Sequence, residues 1–255
     1  MFNLNKKFFS VYKSAKIASK LLGIISNYIK PGINGLFLEK IANNYIKDNN
    51  VKSAFLGYNK YPFNICVSIN NEIIHGIPNK KIFKEGDIVT IDCGIIYKKY
   101  YSDCAYTFPI GNISLKNKKL LKVTKKSLYK AIKICYNNNY ISNIGNIIYK
   151  YIKNNKFNVV TNYCGHGIGK KLHKDPNILN YGIKNTGKRL KNNIIISIEP
   201  ISTVGKPYNY ISKNNWTVKT IDKSYSAHFE HNILLINNSY KKLTTYKYIN
   251  RNVYI

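Results

Sequence analysis

Carboxylates are scarce in this chain. Its 255 residues hold 11 Asp and Glu against 41 Lys and Arg, a formal charge of +30. No apolar run is long enough to span a bilayer, so no membrane segment is expected. A signal-peptide hydrophobic region is also missing, because Lys6, Lys7, Lys13, Lys16 and Lys20 interrupt the start. No acid precedes Glu39, as in organelle transit peptides. The stretch nevertheless reads as an amphipathic helix running towards Lys30-Pro31-Gly32, and hence as part of the fold. Cysteine is sparse and odd in number: Cys66, Cys93, Cys104, Cys135 and Cys164 show no CxxC spacing. That argues against a disulfide framework and a zinc ribbon, and points to reduced thiols in a cytoplasmic protein.

Apolar residues make up 44% of the chain, enough for a substantial core. With no linker or low-complexity break, residues 1–255 are expected to form one domain. The basic charge invites a nucleic-acid reading. The lysines, however, are spread along the whole chain and accompany many Asn, Ile and Tyr, whose codons are also rich in A and T. Codon drift accounts for that pattern, so no specific nucleic-acid partner is expected.

With so few acids, their positions carry information. Asp92 lies inside the β-forming run Ile88-Val89-Thr90-Ile91-Asp92-Cys93-Gly94-Ile95-Ile96, and Asp103 inside Tyr100-Tyr101-Ser102-Asp103-Cys104-Ala105-Tyr106. A turn centred on Tyr97-Lys98 would join them as a hairpin, without the favoured Asn-Gly, and set Asp92 opposite Asp103. Opposed carboxylates have Cβ atoms about 5 Å apart and repel. A cation bound between them offsets the repulsion; a shared proton, or a shifted register that exposes both groups, are the alternatives. Further on, Glu199 ends the apolar run Ile194-Ile195-Ile196-Ser197-Ile198, and Glu230 opens His231-Asn232-Ile233-Leu234-Leu235-Ile236.

Histidines add to the pattern. His166 stands between glycines in Cys164-Gly165-His166-Gly167-Ile168-Gly169, where backbone can approach a ligand closely. His173 follows seven residues later, and His75 sits in the tight-loop sequence Ile74-His75-Gly76-Ile77-Pro78. His228 and His231 flank Glu230 and are assigned by default to the surface or to a supporting position. Lys116-Asn117-Lys118-Lys119 reads as a polar turn near mid-chain. Around it, Leu38, Ile41, Tyr45 and Ile46 recur 106 residues later as Ile144, Ile147, Tyr151 and Ile152, with one-face helical spacing. If the repeat is real, two halves, each of helices followed by an antiparallel strand pair with two acids, make an α+β fold around a shared site; two unrelated amphipathic helices are the alternative.

The chain resembles the type I methionine aminopeptidases of the pita-bread fold. The matching segments fall in family order: Lys30-Pro31-Gly32, Leu56-Gly57-Tyr58, Tyr61-Pro62, His75-Gly76-Ile77-Pro78, Gly86-Asp87-Ile88-Val89, Ile91-Asp92, Tyr163 to Gly169, Ile198-Glu199-Pro200, Trp216 to Thr220, and Glu230-His231. The resemblance implies two pseudo-symmetric halves with a curved antiparallel sheet around a dinuclear centre. By it, the metal ligands are Asp92, Asp103, His166, Glu199 and Glu230, with Asp103 and Glu230 bridging two divalent ions (Co, Mn, Fe or Zn). It also implies that His173 binds the substrate or its tetrahedral intermediate, that His75 positions the peptide, and that Glu199 shuttles a proton. Tyr58, Tyr61, Cys66 and Trp216 would wall the side-chain pocket.

The implied activity is removal of the initiator methionine from nascent polypeptides by a cytoplasmic monomer working near the ribosome. An Xaa-Pro dipeptidase of the same fold and a non-catalytic ribosome- or RNA-binding member are the rivals. The sequence departs from the family at Gly94, where bacterial members carry Thr, at Phe55 for Cys, at Asn59 for His and at Leu172 for Phe. These changes bear on pocket shape and efficiency.

Overall fold

The computed structural model describes residues 6–255, with side chains from Phe8 onward, so the Lys6 and Lys7 side chains lie outside the described residues. Its elements begin with helices α1 (Lys6–Ser26) and α2 (Gly35–Asp48), followed by strands β1 (Lys52–Ser53), β2 (Ile65–Ile69), β3 (Glu72–Ile74), β4 (Ile88–Tyr97) and β5 (Tyr100–Pro109). Next come helices α3 (Leu115–Ile132) and α4 (Ile141–Asn154) and strands β6 (Asn158–Val159), β7 (Gly165–Gly167), β8 (Lys174–Ile178), β9 (Ile195–Ile198) and β10 (Ile201–Thr203). The chain ends with β11 (Asn209–Ile211), β12 (Val218–Thr220), β13 (Ser226–His228), β14 (His231–Ile236) and β15 (Ser239–Lys242).

The N-terminal helix forms as its pattern predicts. Val11, Ala15, Ala18, Leu22 and Ile25 recur at three- and four-residue spacing and are buried, with α1 lying across β4 and β5. Asn34 caps α2 by accepting from the Phe37 N–H, and Ser114 caps α3 by accepting from the Asn117 N–H. That cap corrects the expected turn at Lys116–Lys119. Leu120, Leu121, Val123 and Thr124 form a buried stripe whose helical period begins at the cap, so the lysine run lies in the helix's first turn, with Asn117 turned inward.

The two halves carry matching helices. Leu38 and Ile46 of α2 and their counterparts Ile144 and Ile152 of α4 are buried, while Ile41, Tyr45, Ile147 and Tyr151 are all partly exposed. Antiparallel sheets complete the α+β architecture. One pairs β4 with β1 and β2 on one side and β5 on the other; another runs β15-β14-β9-β7-β8. Two further sheets have three strands each, β13-β10-β6 and β11-β12-β3. Among the described residues, no helix is long and apolar enough to cross a membrane. All five cysteines are free.

The hairpin register differs from the expected one. Asp92 lies opposite Ala105, and Asp103 opposite Gly94. The two-residue loop is Lys98-Lys99, both at positive φ (46° and 68°), rather than Tyr97-Lys98. A mirror-image turn needs both loop residues left-handed, and the strand pairing here imposes that on two lysines. The aspartates are diagonal neighbours, which keeps them on one face of the sheet without placing them in direct opposition. Gly94 belongs to this arrangement. A Cβ there would come within 2.7 Å of Ala54 Cβ and 2.9 Å of the Ser102 carbonyl.

Candidate metal centre

Strands from both halves bring five side chains to one place. Asp92 comes from β4, Asp103 from β5, His166 from β7, Glu199 from the residue after β9 and Glu230 from the residue before β14. Gly165 and Gly167 flank His166, and a Cβ on either would run into a neighbouring carbonyl, of Ser197 or of Asp175. Their absence of side chains lets β7 sit between β9 and β8. All five acidic and imidazole groups line one cavity of about 180 Å³, together with His75, His173, Tyr58, Tyr61, Cys66 and Trp216. A larger groove of about 860 Å³ lies beside α4, but its single acid is Asp175 and it holds no histidine.

Ligand-type atoms of Asp92, Asp103 and Glu230 all lie within 4.8 Å of one another, as do those of His166, Glu199 and Glu230, and those of Asp103, His166 and His173. Asp103, His166 and Glu230 each belong to two of these groups. Oδ1 atoms of Asp92 and Asp103 are buried without a hydrogen-bond partner. Burial pushes the Asp92 carboxyl up to about 7. Burial, then the charges of Glu230, Asp92 and Glu199, hold Asp103 well above the usual carboxylate range. Glu199 and Glu230 are raised by burial first and by neighbouring carboxylates second.

Four carboxylates held this way are costly as anions unless a cation joins them. His166 is set up as the complementary neutral donor. Burial, then His173, lowers it to about 4. Its Nδ1 lies 3.0 Å from the Gly167 carbonyl, which fixes the proton on that nitrogen and leaves Nε2 free, 3.6 Å from Glu199 Oε1. A donor set of four carboxylates and one imidazole, with two orphaned oxygens, fits hard or borderline divalent ions.

Supporting groups outside the expected set hold these side chains. The Asp103 N–H donates to Asn232 Oδ1 at 2.7 Å, the Asn232 amide donates to Ser197 Oγ at 3.3 Å, and the Ser197 hydroxyl donates to the Glu230 carboxylate. Ser197 and Asn232 were overlooked in the sequence, although each stands two residues from an acid on a strand and so shares its face. The default placement of His228 and His231 as surface or supporting groups is corrected in part. Both are buried, and His231 packs on Tyr246 with ring centroids 4.0 Å apart.

The model of metallopeptidase family M24 matches residues 10–237. The chain belongs to that family. M24 membership implies a divalent metal, in agreement with the donor set. Methionine aminopeptidase 1 of Bacillus subtilis is 43% identical over 220 residues, 86% of this chain and 89% of that protein. The crystal structure of methionine aminopeptidase from Thermotoga maritima superposes with a TM-score of 0.93 at 36% identity, covering 96% of this chain and 100% of that one. Prolidase from Pyrococcus horikoshii shares the fold alone, with a TM-score of 0.78 at 22% identity and 64% of its length covered. The M24 chain thus has the expected pita-bread architecture.

Proposed function

We propose that this protein removes the N-terminal methionine of nascent polypeptides, with two divalent ions held by Asp92, Asp103, His166, Glu199 and Glu230. Asp103 and Glu230 would serve both ions, Asp92 would add to one site, and His166 with Glu199 would add to the other. The observation that carries the reading is the meeting of four carboxylates and one neutral imidazole in one cavity that Tyr58, Tyr61 and Trp216 also line. Divalent ions bound there supply Lewis acidity to a peptide carbonyl and lower the pKa of water.

The chain's own groups do the rest. Tyr58 hydroxyl and His173 Nδ1 are 2.8 Å apart. With Tyr58 donating, His173 keeps its proton on Nε2 and offers it to the oxygen that gains charge as the bond breaks. Glu199 passes a proton to the leaving amine. His75, which burial and then His173 lower to about 4, is neutral and orients the peptide. Tyr61 and Trp216 meet edge to face at 5.0 Å and, with Tyr58 and Cys66, receive the first side chain. Such walls suit a thioether, through sulfur–aromatic contacts worth about 0.3–1.5 kcal/mol each. Phe55, Asn59 and Leu172 line the same pocket.

We read the enzyme as one domain over residues 1–255, a cytoplasmic monomer that meets its substrates near the ribosome without a specific nucleic-acid contact. Release of methionine from Met-Ala-Ser by the purified chain with Mn²⁺ or Co²⁺ tests the reading. Comparison of kcat/KM with leucine and norleucine peptides tests the pocket. A leucine peptide cleaved faster than the methionine peptide would overturn the substrate assignment.

A further inference from the structure

One buried side chain beside the centre has no role in the chemistry above. His228 ends β13, is 2% exposed, and has no hydrogen-bond partner at either ring nitrogen. Its backbone is fixed twice. β13 pairs with β10 through Ile201, and the main chain of His228 exchanges hydrogen bonds with the Thr107 hydroxyl at 2.8 and 2.9 Å. The ring is therefore held at a set place rather than free to seek a partner. What it faces is Glu199. His228 Nε2 is 3.7 Å from Glu199 Oε2, while His166 Nε2 is 3.6 Å from Oε1 of the same carboxylate. Glu199 is thus bracketed by two imidazoles, and only His166 belongs to the ligand set. The Glu199 main chain is tied as well, its carbonyl accepting from the Asn180 amide at 3.0 Å.

We propose that His228 is a positioning residue for Glu199, its Nε2–H donating to Oε2 so that Oε1 is held towards His166 and the metal. The contact is less than about 1 Å longer than an ordinary N–H···O bond, within reach of a small side-chain rotation. A buried donor with no other partner gains most from that rotation, because leaving it unpaired is costly. Hydrogen bonds of this kind on ligating carboxylates fix their orientation, and their removal typically costs about 10–100-fold in metal affinity or activity. The inference rests on the reading of Glu199 as ligand and proton carrier.

The test compares His228→Gln with His228→Asn in the full chain, since both are polar but only Gln places an amide N–H where Nε2 stands. His228→Leu serves as the variant without a donor. Mn²⁺ affinity is measured by calorimetry, and kcat and KM on Met-Ala-Ser are measured separately. Leu and Asn are expected to weaken Mn²⁺ binding and lower kcat at least about 10-fold, with KM within about threefold, and Gln to restore most of both. Gln and Asn behaving alike, or Leu binding Mn²⁺ as the parent does, would overturn the proposal. A parent chain that binds Mn²⁺ but releases no methionine would count against the substrate reading and leave the calorimetric arm to judge His228.

Discussion

In the proposed mechanism Glu199 meets two demands at one side chain, since it would hold a metal and also carry a proton to the departing amine. Glu199→Gln keeps its shape and removes its charge and basicity. Turnover on Met-Ala-Ser should fall by about 100-fold or more, the usual scale for loss of a general acid–base group. The role proposed for His173 differs in kind, because its interaction would strengthen as the carbonyl oxygen gains charge. His173→Ala should lower kcat by about 100-fold with KM changed less than about threefold. A large rise in KM at unchanged kcat would make His173 a binding group only. At this scale the sequence was most legible where chemistry is rare. Eleven acids among 255 residues left few candidates, and those in apolar runs proved to converge. His228 was harder to read, because its neighbour in space, Glu199, is 29 residues away, and only the spacing of two from Glu230 hinted at its face.

The β4–β5 hairpin shows what sequence withholds at the level of an element. Both strands were legible from their apolar runs, but the register was not, because no glycine or asparagine marks the loop. Lys98 and Lys99 take a left-handed conformation that disfavours lysine by roughly 1 kcal/mol or more per residue. Lys98→Asn with Lys99→Gly should therefore raise stability by roughly 1 kcal/mol or more, read as a higher urea midpoint at unchanged slope. A lower midpoint would mean that the lysines make compensating contacts.

Helix α3 carries its own pH signature. Lys125 Nζ lies 4.0 Å from the centre of the Tyr254 ring and 5.6 Å from that of Tyr106, contacts that favour its charge. Burial, then the charge of Lys122, oppose them and pull the amine down to about 8. Its folded pKa is thus below the unfolded value. Between about pH 8 and 10 the unfolded chain binds more protons, and stability attributable to Lys125 rises with pH. That rise, measured as the difference between the parent and Lys125→Met in urea melts, should be present; a flat difference would show that the ring contacts prevail.

Across the whole molecule, a metal bound at this centre would act on the fold as well as on the substrate. Four buried carboxylates from strands of both halves repel one another when no cation joins them. Exhaustive chelation should abolish activity and lower the melting temperature, and Mn²⁺ or Co²⁺ should restore both. Full activity after chelation would sink the dinuclear reading. One further consequence lies in how the second half of α1 meets the segment after β15. The Ser19 and Ser26 hydroxyls of α1 accept from the Thr245 and Asn250 N–H groups, across 226 and 224 residues, and Gly23 between them lies against Tyr248, where a Cβ would come within 2.6 Å of the carbonyl. Such a clasp closes a loop nearly as long as the chain. The entropy of closure grows only slowly with length, so the clasp costs little more than a loop half as long, yet contacts so remote in sequence form late and slow the approach to the native state. Because residues 19–26 and 245–250 are already neighbours, a circularly permuted chain whose linker is long enough to run back along α1, roughly 30 Å at 1.5 Å per residue, and which opens at an exposed loop would bring those contacts closer in sequence and should refold faster.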